Sequence, residues 1–226
     1  MLKENLSVVI RTKNEARWIG HAIQSILNLI HKPEIIIVDN NSDDETLKII
    51  RYFSQDPVLK NNENKNYTNI KIFQIKNYTP GRALNLGVKK AKNKNILIMS
   101  AHCELKKINL KKHIKELKKY SCIFGNQIPL FYGKKITKRY IWSHFTNKPK
   151  DNLFSSLENR YFIHNAIALY EKKILTKYKF NENLASKEDR YWANEIIKKR
   201  KSFKYDPELE VDHHYTQDGN TWKGVG

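Results

Sequence analysis

The chain has 226 residues, of which 40% are hydrophobic and 11% aromatic, enough to build a sizeable core and to exclude a globally disordered protein. Its net charge is +19 and its pI about 9.7. A mean hydropathy of −0.68, with no apolar run approaching about 18 residues, argues against a transmembrane helix, and the apolar stretch near Leu6 is too short for a secretory signal. Cys103 and Cys122 fit neither a CxxC metal pair nor a disulfide framework, so the sequence favours the reducing cytoplasm.

The positive charge is consistent with a polyanionic partner, which would be nucleic acid, an acidic membrane surface or a phosphorylated ligand, and equally with a tolerant surface rich in Lys, Asn and Ile that has no partner. The lysine-rich segments 89–95 and 106–119 have the pattern of solvated helix faces, and in the second Ile108, Leu110, Ile114 and Leu117 recur at helical spacing. No aromatic residues alternate with these lysines, as a groove for single strands requires. We therefore expect an anionic ligand or a membrane surface rather than nucleic acid.

The first half of the chain alternates apolar strands with amphipathic helices. In chain order, the pattern predicts a strand at 6–10, a helix at 16–30, a strand at 35–38, a helix from the turn 39–44 to about 53, a polar loop at 56–69, a strand at 70–75, a helix at 80–92 and a strand at 96–99. This alternation is typical of a parallel sheet covered by helices on both faces.

Ligands of such sheets bind beyond the carboxyl ends of the strands. Those ends are Arg11–Glu15, Asp39–Asp44 and Ser100–Glu104, so the polar clusters of the first half are expected to meet at one edge of the sheet. We call this edge the rim.

The second half is less regular, with strands predicted at 122–124 and 166–169 and an amphipathic helix at 188–199. The segments 204–205 and 209–211 lead into Asp212-His213-His214. The sequence contains no internal repeat and no linker. A single domain over residues 1–226 is therefore expected.

Several sequence blocks resemble the family 2 GT-A glycosyltransferases in order and spacing: SVVIRTKNEARWI, EIIIVDNNSDDET, GRALNLGVKKAK and ILIMSAHCE. Downstream, FGNQIP, FIHNAIALY, KFNENLASKEDRYWA and YDPELEVDHH resemble the bacterial rhamnosyltransferase-like branch. The similarity spans about residues 6–214. It implies the GT-A fold, an α/β fold with a mostly parallel sheet, helices on both faces and a Rossmann-like N-terminal half. Residues 1–104 would bind the nucleotide and residues 105–226 the acceptor. The polar, glycine-rich end around Trp222 is interpreted either as a flap over the nucleotide or as a frayed terminus.

The resemblance also implies which residues bind the nucleotide. The first rim loop would hold the base and ribose, Asp39 would accept a hydrogen bond from the base, and Arg82 with Asn85 would close over base and phosphate near a helix N-terminus. The residues concerned are Arg11, Asn14, Glu15, Asp39, Asn41, Arg82, Asn85 and Ser100. For each residue alone, a turn, a cap or a surface ion pair is the alternative.

The chain departs from the family at the segment SAHCE, where the family carries Asp-x-Asp ligands for a divalent ion. Ser100 and His102 stand at those two positions. Imidazole suits Mn, Zn or Fe better than Mg, so His102 and His213, with Glu104 as a spare carboxylate, predict a manganese rather than a magnesium site. Alternatively no metal binds, and His102 with lysines stabilises the leaving phosphate, as a CMP-activated donor would allow. A buried, hydrogen-bonded histidine is the structural alternative.

The segment LASKEDRYWA carries the second chemical feature. The resemblance assigns Asp189 as the general base that deprotonates the acceptor hydroxyl, and Glu188 as a supporting or acceptor-positioning carboxylate. Direct displacement would then invert the anomeric configuration. An acid pair that merely complements a helix dipole is the structural alternative. Weaker acceptor-site candidates are Gln127, Asn165 and Trp192, of which Trp192 is more typical of a core.

Together these features predict an inverting glycosyltransferase that moves a sugar from a nucleotide-sugar donor to a hydroxyl of a bacterial surface glycan such as capsule or O-antigen. We expect a cytoplasmic enzyme whose glycan or lipid-linked acceptor lies at the inner face of the membrane, with the +19 charge favouring peripheral contact with anionic lipid. One competing hypothesis is a metal-independent transferase that uses a CMP-activated donor or moves a phosphate-linked group. Another is a non-catalytic basic protein that binds glycan or nucleic acid.

Overall fold

The computed structural model describes residues 5–55, 69–136 and 140–217, and the elements below belong to this part of the chain. The predicted polar loop at 56–69 lies outside it except for Asn69, and the predicted flap around Trp222 lies outside it altogether.

The first half confirms the predicted alternation of strands and helices. Its elements are β1 (Leu6–Thr12), α1 (Ile19–Leu29), β2 (Glu34–Asp39), α2 (Thr46–Gln55), β3 (Asn69–Gln74), α3 (Pro80–Lys90) and β4 (Asn95–Ser100). Helix α3 begins where the sequence places its start signals, because the Thr79 hydroxyl accepts a hydrogen bond from the Arg82 amide at 3.2 Å and Pro80 occupies the first turn.

The second half contains shorter elements. They are β5 (Cys103–Lys107), α4 (Leu110–Glu116), β6 (Cys122–Phe131), β7 (Lys134–Lys135), a 3-10 turn (Tyr140–His144), β8 (Lys150–Asp151), β9 (Phe154–Ser155), β10 (Arg160–Tyr161), β11 (Ile167–Glu171), α5 (Lys172–Lys177), α6 (Glu188–Lys198) and β12 (Lys204–His214).

One large sheet organises the molecule, with the strand order β3-β2-β1-β4-β11-β6-β12-β5. Strands β3, β2, β1 and β4 run parallel to one another, and β12 runs parallel to β6. Strand β11 is antiparallel to both β4 and β6, which makes β6 parallel to β4. Strands β1, β2, β4, β6 and β12 therefore all end at the rim.

Two apolar clusters cover the two faces of this sheet. Val8 and Ile10 of β1 belong to one cluster with the buried side of α1, and Val9 belongs to the other with α3 and α6. Since successive strand residues point to opposite faces, the alternation along β1 separates the clusters. The predicted arrangement of helices on both faces is confirmed.

The helix predicted within 106–119 is wrong in extent. Cys103–Lys107 instead forms β5, an edge strand antiparallel to β12 with Val211 opposite Leu105, and only Leu110–Glu116 is helical. The apolar residues at helical spacing cover too short a segment to extend the helix toward residue 106, where pairing with β12 favours a strand. Within the described ranges, no helix is both long and apolar enough to span a bilayer.

Candidate active site

The rim joins the end of β1 to the start of α6. The guanidinium of Arg11 lies 3.3 Å from the Glu188 carboxylate, and only 3% of the Glu188 side chain is exposed. Lys187, in the left-handed region at φ 61°, precedes the helix and turns the chain so that Glu188 begins α6 facing the sheet. The phenol of Tyr78 also interacts with Arg11.

Burial shapes the ionisation of this pair. Burial by itself lowers the pKa of Arg11, but the negative charge of Glu188 together with Tyr78 and Asp189 outweighs it and raises that pKa. Burial raises the pKa of Glu188 above its ordinary value, although Arg11 opposes the rise. Arg11 therefore keeps its positive charge at the rim, beside the Glu188 carboxylate.

Asp189 stands next to this pair and is 7% exposed. Its Oδ2 accepts hydrogen bonds from the Asn165 amide at 3.3 Å and from Arg190 Nη1 at 2.9 Å, while Oδ1 accepts from the Arg190 amide at 2.8 Å. Asn165 is itself held, since its side-chain oxygen accepts from the Tyr170 hydroxyl at 2.7 Å. These bonds fix the Asp189 carboxylate in one position.

Two histidines form a second group on the rim. His102 Nδ1 lies 2.7 Å from Glu15 Oε1, and the His102 ring centroid is 4.9 Å from that of His213. His213 Nδ1 bonds to Gln127 Oε1. Burial lowers the pKa of His213 well below its ordinary value, and the nearby histidines lower it further, so this imidazole is neutral at physiological pH.

Glu104 is directed elsewhere. Its carboxylate lies 2.7 Å from His214 Nε2, and Trp18 stacks on the His214 ring with centroids 3.9 Å apart. The structure therefore pairs Glu104 with His214 and not with His102. Among the residues that the structure describes, no group of three or more His, Cys, Asp or Glu side chains could hold a metal ion.

The loops after β1 and β2 are bonded to each other. The Asn14 amide donates to Ser42 Oγ at 2.9 Å, and Asn14 Oδ1 accepts from the Asp43 amide at 3.0 Å. Asp39 is fully buried and accepts from the Ser42 hydroxyl at 2.5 Å and the Ser42 amide at 3.1 Å, while Asn41 donates to the Ile75 carbonyl at 3.3 Å. In this state the two loops hold each other in place at the rim.

Arg82 and Asn85 lie apart from the Arg11–Glu188 pair and from the two histidines. They line a cleft of about 670 Å³ between α3 and α5, and none of its lining residues belongs to the Arg11–Glu188 pair or to the histidine group. Asn85 donates to the Phe180 carbonyl and to Glu182 Oε1, both at 2.9 Å, and Arg82 Nε lies 3.8 Å from the Glu182 carboxylate. This pair ties α3 to the segment that leads into α6.

The remaining candidates occupy varied positions. Ser100 ends β4, with its amide bonded to the Ala166 carbonyl at 3.1 Å. Gln127 and Asn165 are buried beside His213 and Asp189, as described above. Trp192 is 3% exposed, and its indole N–H donates to the Tyr178 carbonyl at 2.7 Å, so it packs in the core beneath α6. Trp192 therefore has the core position that the sequence analysis considered more typical for it.

Sequence reasoning missed Tyr78 beside Arg11 and Arg190 beside Asp189. Arg190 donates to Asp189 and its guanidinium lies 4.2 Å from the centre of the Phe162 ring. The one available signal was position, because Tyr78 precedes the start of α3 and Arg190 directly follows the acid pair.

A model of glycosyl transferase family 2 matches residues 7–179. The chain belongs to glycosyl transferase family 2. A "GalNAc(5)-diNAcBac-PP-undecaprenol beta-1,3-glucosyltransferase" of Campylobacter jejuni is 26% identical over 223 residues, which are 96% of this chain and 67% of that protein. An uncharacterized glycosyltransferase of Rickettsia conorii is 27% identical over 81% of this chain and 28% of its own length.

Solved structures confirm the GT-A fold. S. aureus TarS 1-349 in complex with UDP-GlcNAc matches with a TM-score of 0.68 and 16% identity, covering 97% of this chain and 61% of that one. GalNAc-T7 with UDP, GalNAc and Mn²⁺ matches with a TM-score of 0.64 and 17% identity, covering 96% and 45%. The predicted family and fold class are confirmed, whereas the rhamnosyltransferase-like branch stays a prediction.

Proposed function

We propose that this family 2 member is an inverting glycosyltransferase that moves a sugar from a nucleotide-sugar donor to a hydroxyl of a bacterial glycan. One observation carries the proposal. The fixed carboxylate of Asp189 stands at the rim beside the Arg11–Glu188 pair, where ligands of open α/β sheets bind.

In the proposed reaction, Asp189 accepts the proton of the acceptor hydroxyl while that oxygen attacks the anomeric carbon and the nucleotide departs from the opposite side. The attack inverts the anomeric configuration because it is a single displacement. Glu188, held by Arg11 at 3.3 Å, supports the acceptor side of the rim. The donors from Asn165 and Arg190 keep the Asp189 carboxylate in its reactive position before substrate arrives.

The relatives support the choice of substrates. TarS was solved with UDP-GlcNAc, and the name of the Campylobacter relative specifies glucosyl transfer to an undecaprenol-linked glycan. We extend these substrate classes to this chain as a nucleotide-sugar donor and a lipid-linked glycan acceptor, used in building capsule, O-antigen or a similar polysaccharide. The acceptor would place the enzyme at the inner face of the cytoplasmic membrane, in peripheral contact with anionic lipid.

The two rim histidines fit a transition metal better than magnesium. Each has its Nδ1 held by an oxygen acceptor, Glu15 for His102 and Gln127 for His213, which is how proteins orient metal-binding imidazoles. His102 and His213 would hold the ion, and oxygens of the donor phosphates would complete its ligands, since the described part of the chain offers no third side-chain ligand. Such an ion would supply charge stabilisation to the departing phosphates. GalNAc-T7 was solved with UDP and Mn²⁺.

A thermal-shift panel of UDP, GDP, dTDP, CDP and CMP, each with Mn²⁺, Mg²⁺ or EDTA, tests the proposal because a ligand of the native state raises its stability. We expect one nucleoside diphosphate to raise the Tm, and to do so more with Mn²⁺. Product NMR from the matching donor should then show the inverted anomer. If no nucleotide shifts the protein and salt-sensitive oligonucleotide binding is found instead, the chain is a non-catalytic basic binding protein.

The replacement of the Asp-x-Asp ligands by Ser100 and His102 supports a second candidate. His102, bonded to Glu15, would contact the leaving phosphate directly, without a metal, in a transferase that uses a CMP-activated donor or moves a phosphate-linked group. A Tm shift with CMP that EDTA leaves unchanged favours this candidate. Loss of manganese binding on His102→Asn substitution, read by electron paramagnetic resonance in the presence of UDP, favours the first.

A further inference from the structure

A short hairpin projects from the rim at the end of β6. Leu130 and Phe131 pair with Lys135 and Lys134 of β7, and the turn between the strands is Tyr132–Gly133. Both turn residues have positive φ, 47° and 78°, as a tight two-residue hairpin requires. Because β6 runs parallel to β4, this turn points beyond the same edge that carries Arg11 and the histidines.

The hairpin exposes aromatic rings together with cations. Tyr132 is 61% exposed and Phe131 37%, and Lys134 and Lys135 are both exposed. On the neighbouring loop after β1, the guanidinium of exposed Arg17 lies 5.4 Å from the centre of the Tyr132 ring. We call these five residues the hairpin tip.

The hairpin tip is bonded to and packed against the residues at the end of β12. Tyr215 donates its amide to the Leu130 carbonyl at 2.8 Å, and its ring contacts Phe131 at a centroid distance of 4.8 Å. Arg17 also lies 5.0 Å from the Trp18 ring, which stacks on His214. A surface that engaged the hairpin tip would therefore be held in a fixed orientation to the rim.

We propose that the hairpin tip is the contact through which this protein binds an anionic membrane surface, with the rim turned toward the bilayer. Amphipathic aromatic rings partition to the headgroup region, and nearby lysines and arginines are attracted by anionic lipid. A sugar-stacking platform is a poorer match, since the Tyr132 ring is engaged by Arg17 and meets Phe131 edge to face at 4.7 Å. The inference rests on the membrane contact of the proposed function and names the surface that makes it.

The test is cosedimentation of the full chain with vesicles of phosphatidylcholine alone or with about 30 mol% phosphatidylglycerol, which supplies the anionic surface. We expect binding to the anionic vesicles only, weakened as salt is raised from about 0.1 M to about 0.5 M. Lys134→Glu/Lys135→Glu should reduce the partition coefficient by about tenfold or more, because each basic residue near the surface contributes severalfold. Phe131→Ser/Tyr132→Ser should reduce it at both salt concentrations, since burial of the rings is not screened.

Two matched controls separate this surface from the net charge. Lys115→Glu/Lys118→Glu makes the same charge change at exposed positions of the α4 region, and Tyr52→Ser removes a ring that is 63% exposed on α2. Both should leave vesicle binding within about twofold of the parent, because charges beyond a Debye length are screened and the Tyr52 ring is not part of the hairpin tip. Circular dichroism and the Tm confirm that every variant is folded.

Each failure has its own outcome. If the parent chain does not bind anionic vesicles, the membrane contact itself is wrong, and nucleotide binding and transfer are untouched. If the parent binds but the α4 variant weakens binding as much as Lys134→Glu/Lys135→Glu, net charge drives binding and the inference is overturned. If the aromatic variant loses signal on a glycan array while its vesicle binding is intact, the hairpin tip is an acceptor-sugar site and the inference is overturned.

Discussion

Arg11 near the end of β1 and Glu188, the first residue of α6, form an ion pair of 3.3 Å. The pair joins the parallel first half of the sheet to the start of α6 at the rim. Removing one partner would leave the other charge buried and poorly solvated. The resulting loss of folding free energy is larger than the net stabilisation that the intact pair provides.

Glu188→Gln should therefore lower the free energy of unfolding by about 2 kcal/mol, as expected when a mostly buried charge loses its partner. Urea denaturation at neutral pH measures it. Glu182→Gln is the matched control, because its ion pair with Arg82 is 3.8 Å long and both side chains are more than 40% exposed. The control should change stability by less than about 1 kcal/mol. Equal losses in the two variants would contradict a buried role for Glu188.

Asp189→Asn should lower the rate of transfer by about 10²- to 10⁴-fold while the nucleotide-induced Tm shift is retained, because the substitution removes only the proposed proton acceptor. Asp151→Asn is the control, since Asp151 accepts from Tyr120 at a remote position and should change the rate less than about twofold. Residual transfer with weakened nucleotide binding would show that Asp189 serves the donor and not the acceptor.

Gly81→Ala should displace the segment that leads into α6. A Cβ at Gly81 would stand 2.2 Å from the Asn181 carbonyl oxygen, so the backbone must shift. We expect a loss of about 1–3 kcal/mol in unfolding free energy together with reduced kcat. Gly20→Ala, also in a helix, would meet two side chains, the Ile49 methyl at 3.3 Å and the Phe53 ring at 3.7 Å, and should stay within about 1 kcal/mol of the parent. A Gly81→Ala variant with full activity would argue that the 181–187 segment does not position Asp189.

His164 predicts a dependence of stability on pH. Burial lowers the pKa of His164 from 6.5 to about 3, and the nearby Arg190 charge acts in the same direction. The native imidazole thus stays neutral below pH 6.5 while the unfolded one takes up a proton. Stability should fall as the pH decreases from 6.5 toward 3, with a slope approaching about 1.4 kcal/mol per pH unit from this residue.

Urea titrations at about pH 7 and about pH 5.5 measure this linkage. His164→Asn should make the decrease between the two values smaller, since its amide does not titrate, while buried His213, whose pKa is also lowered, continues to contribute. His21→Asn, at an exposed position, should leave the decrease unchanged. A parent whose stability is the same at both pH values would mean that His164 is accessible to protons in the native state.

The apolar pattern predicted the first half of the fold because each element there shows its burial in its sequence, as a continuous apolar run in a buried strand or as helical spacing in a half-buried helix. Strand β2 is buried at every position from Glu34 to Asp39, and α1 buries the residues spaced along one side, such as Ile19, Ile23 and Ile26. The second half was less predictable because short strands carry little periodic signal. Cys103–Lys107 forms a strand because its backbone pairs with β12, a partner distant in sequence.

The sequence alone determined the parallel half of the sheet and the position of the rim, because apolar runs separated by short polar turns leave one consistent α/β arrangement whose strand ends coincide. Only the tertiary structure decided which polar residues meet there. Glu15 bonds to His102, 87 positions away in sequence, and Gln127 bonds to His213, 86 positions away. Glu104 pairs with His214 and not with His102. Such pairings depend on how strands from opposite ends of the chain are ordered in the sheet, and no local pattern encodes that order.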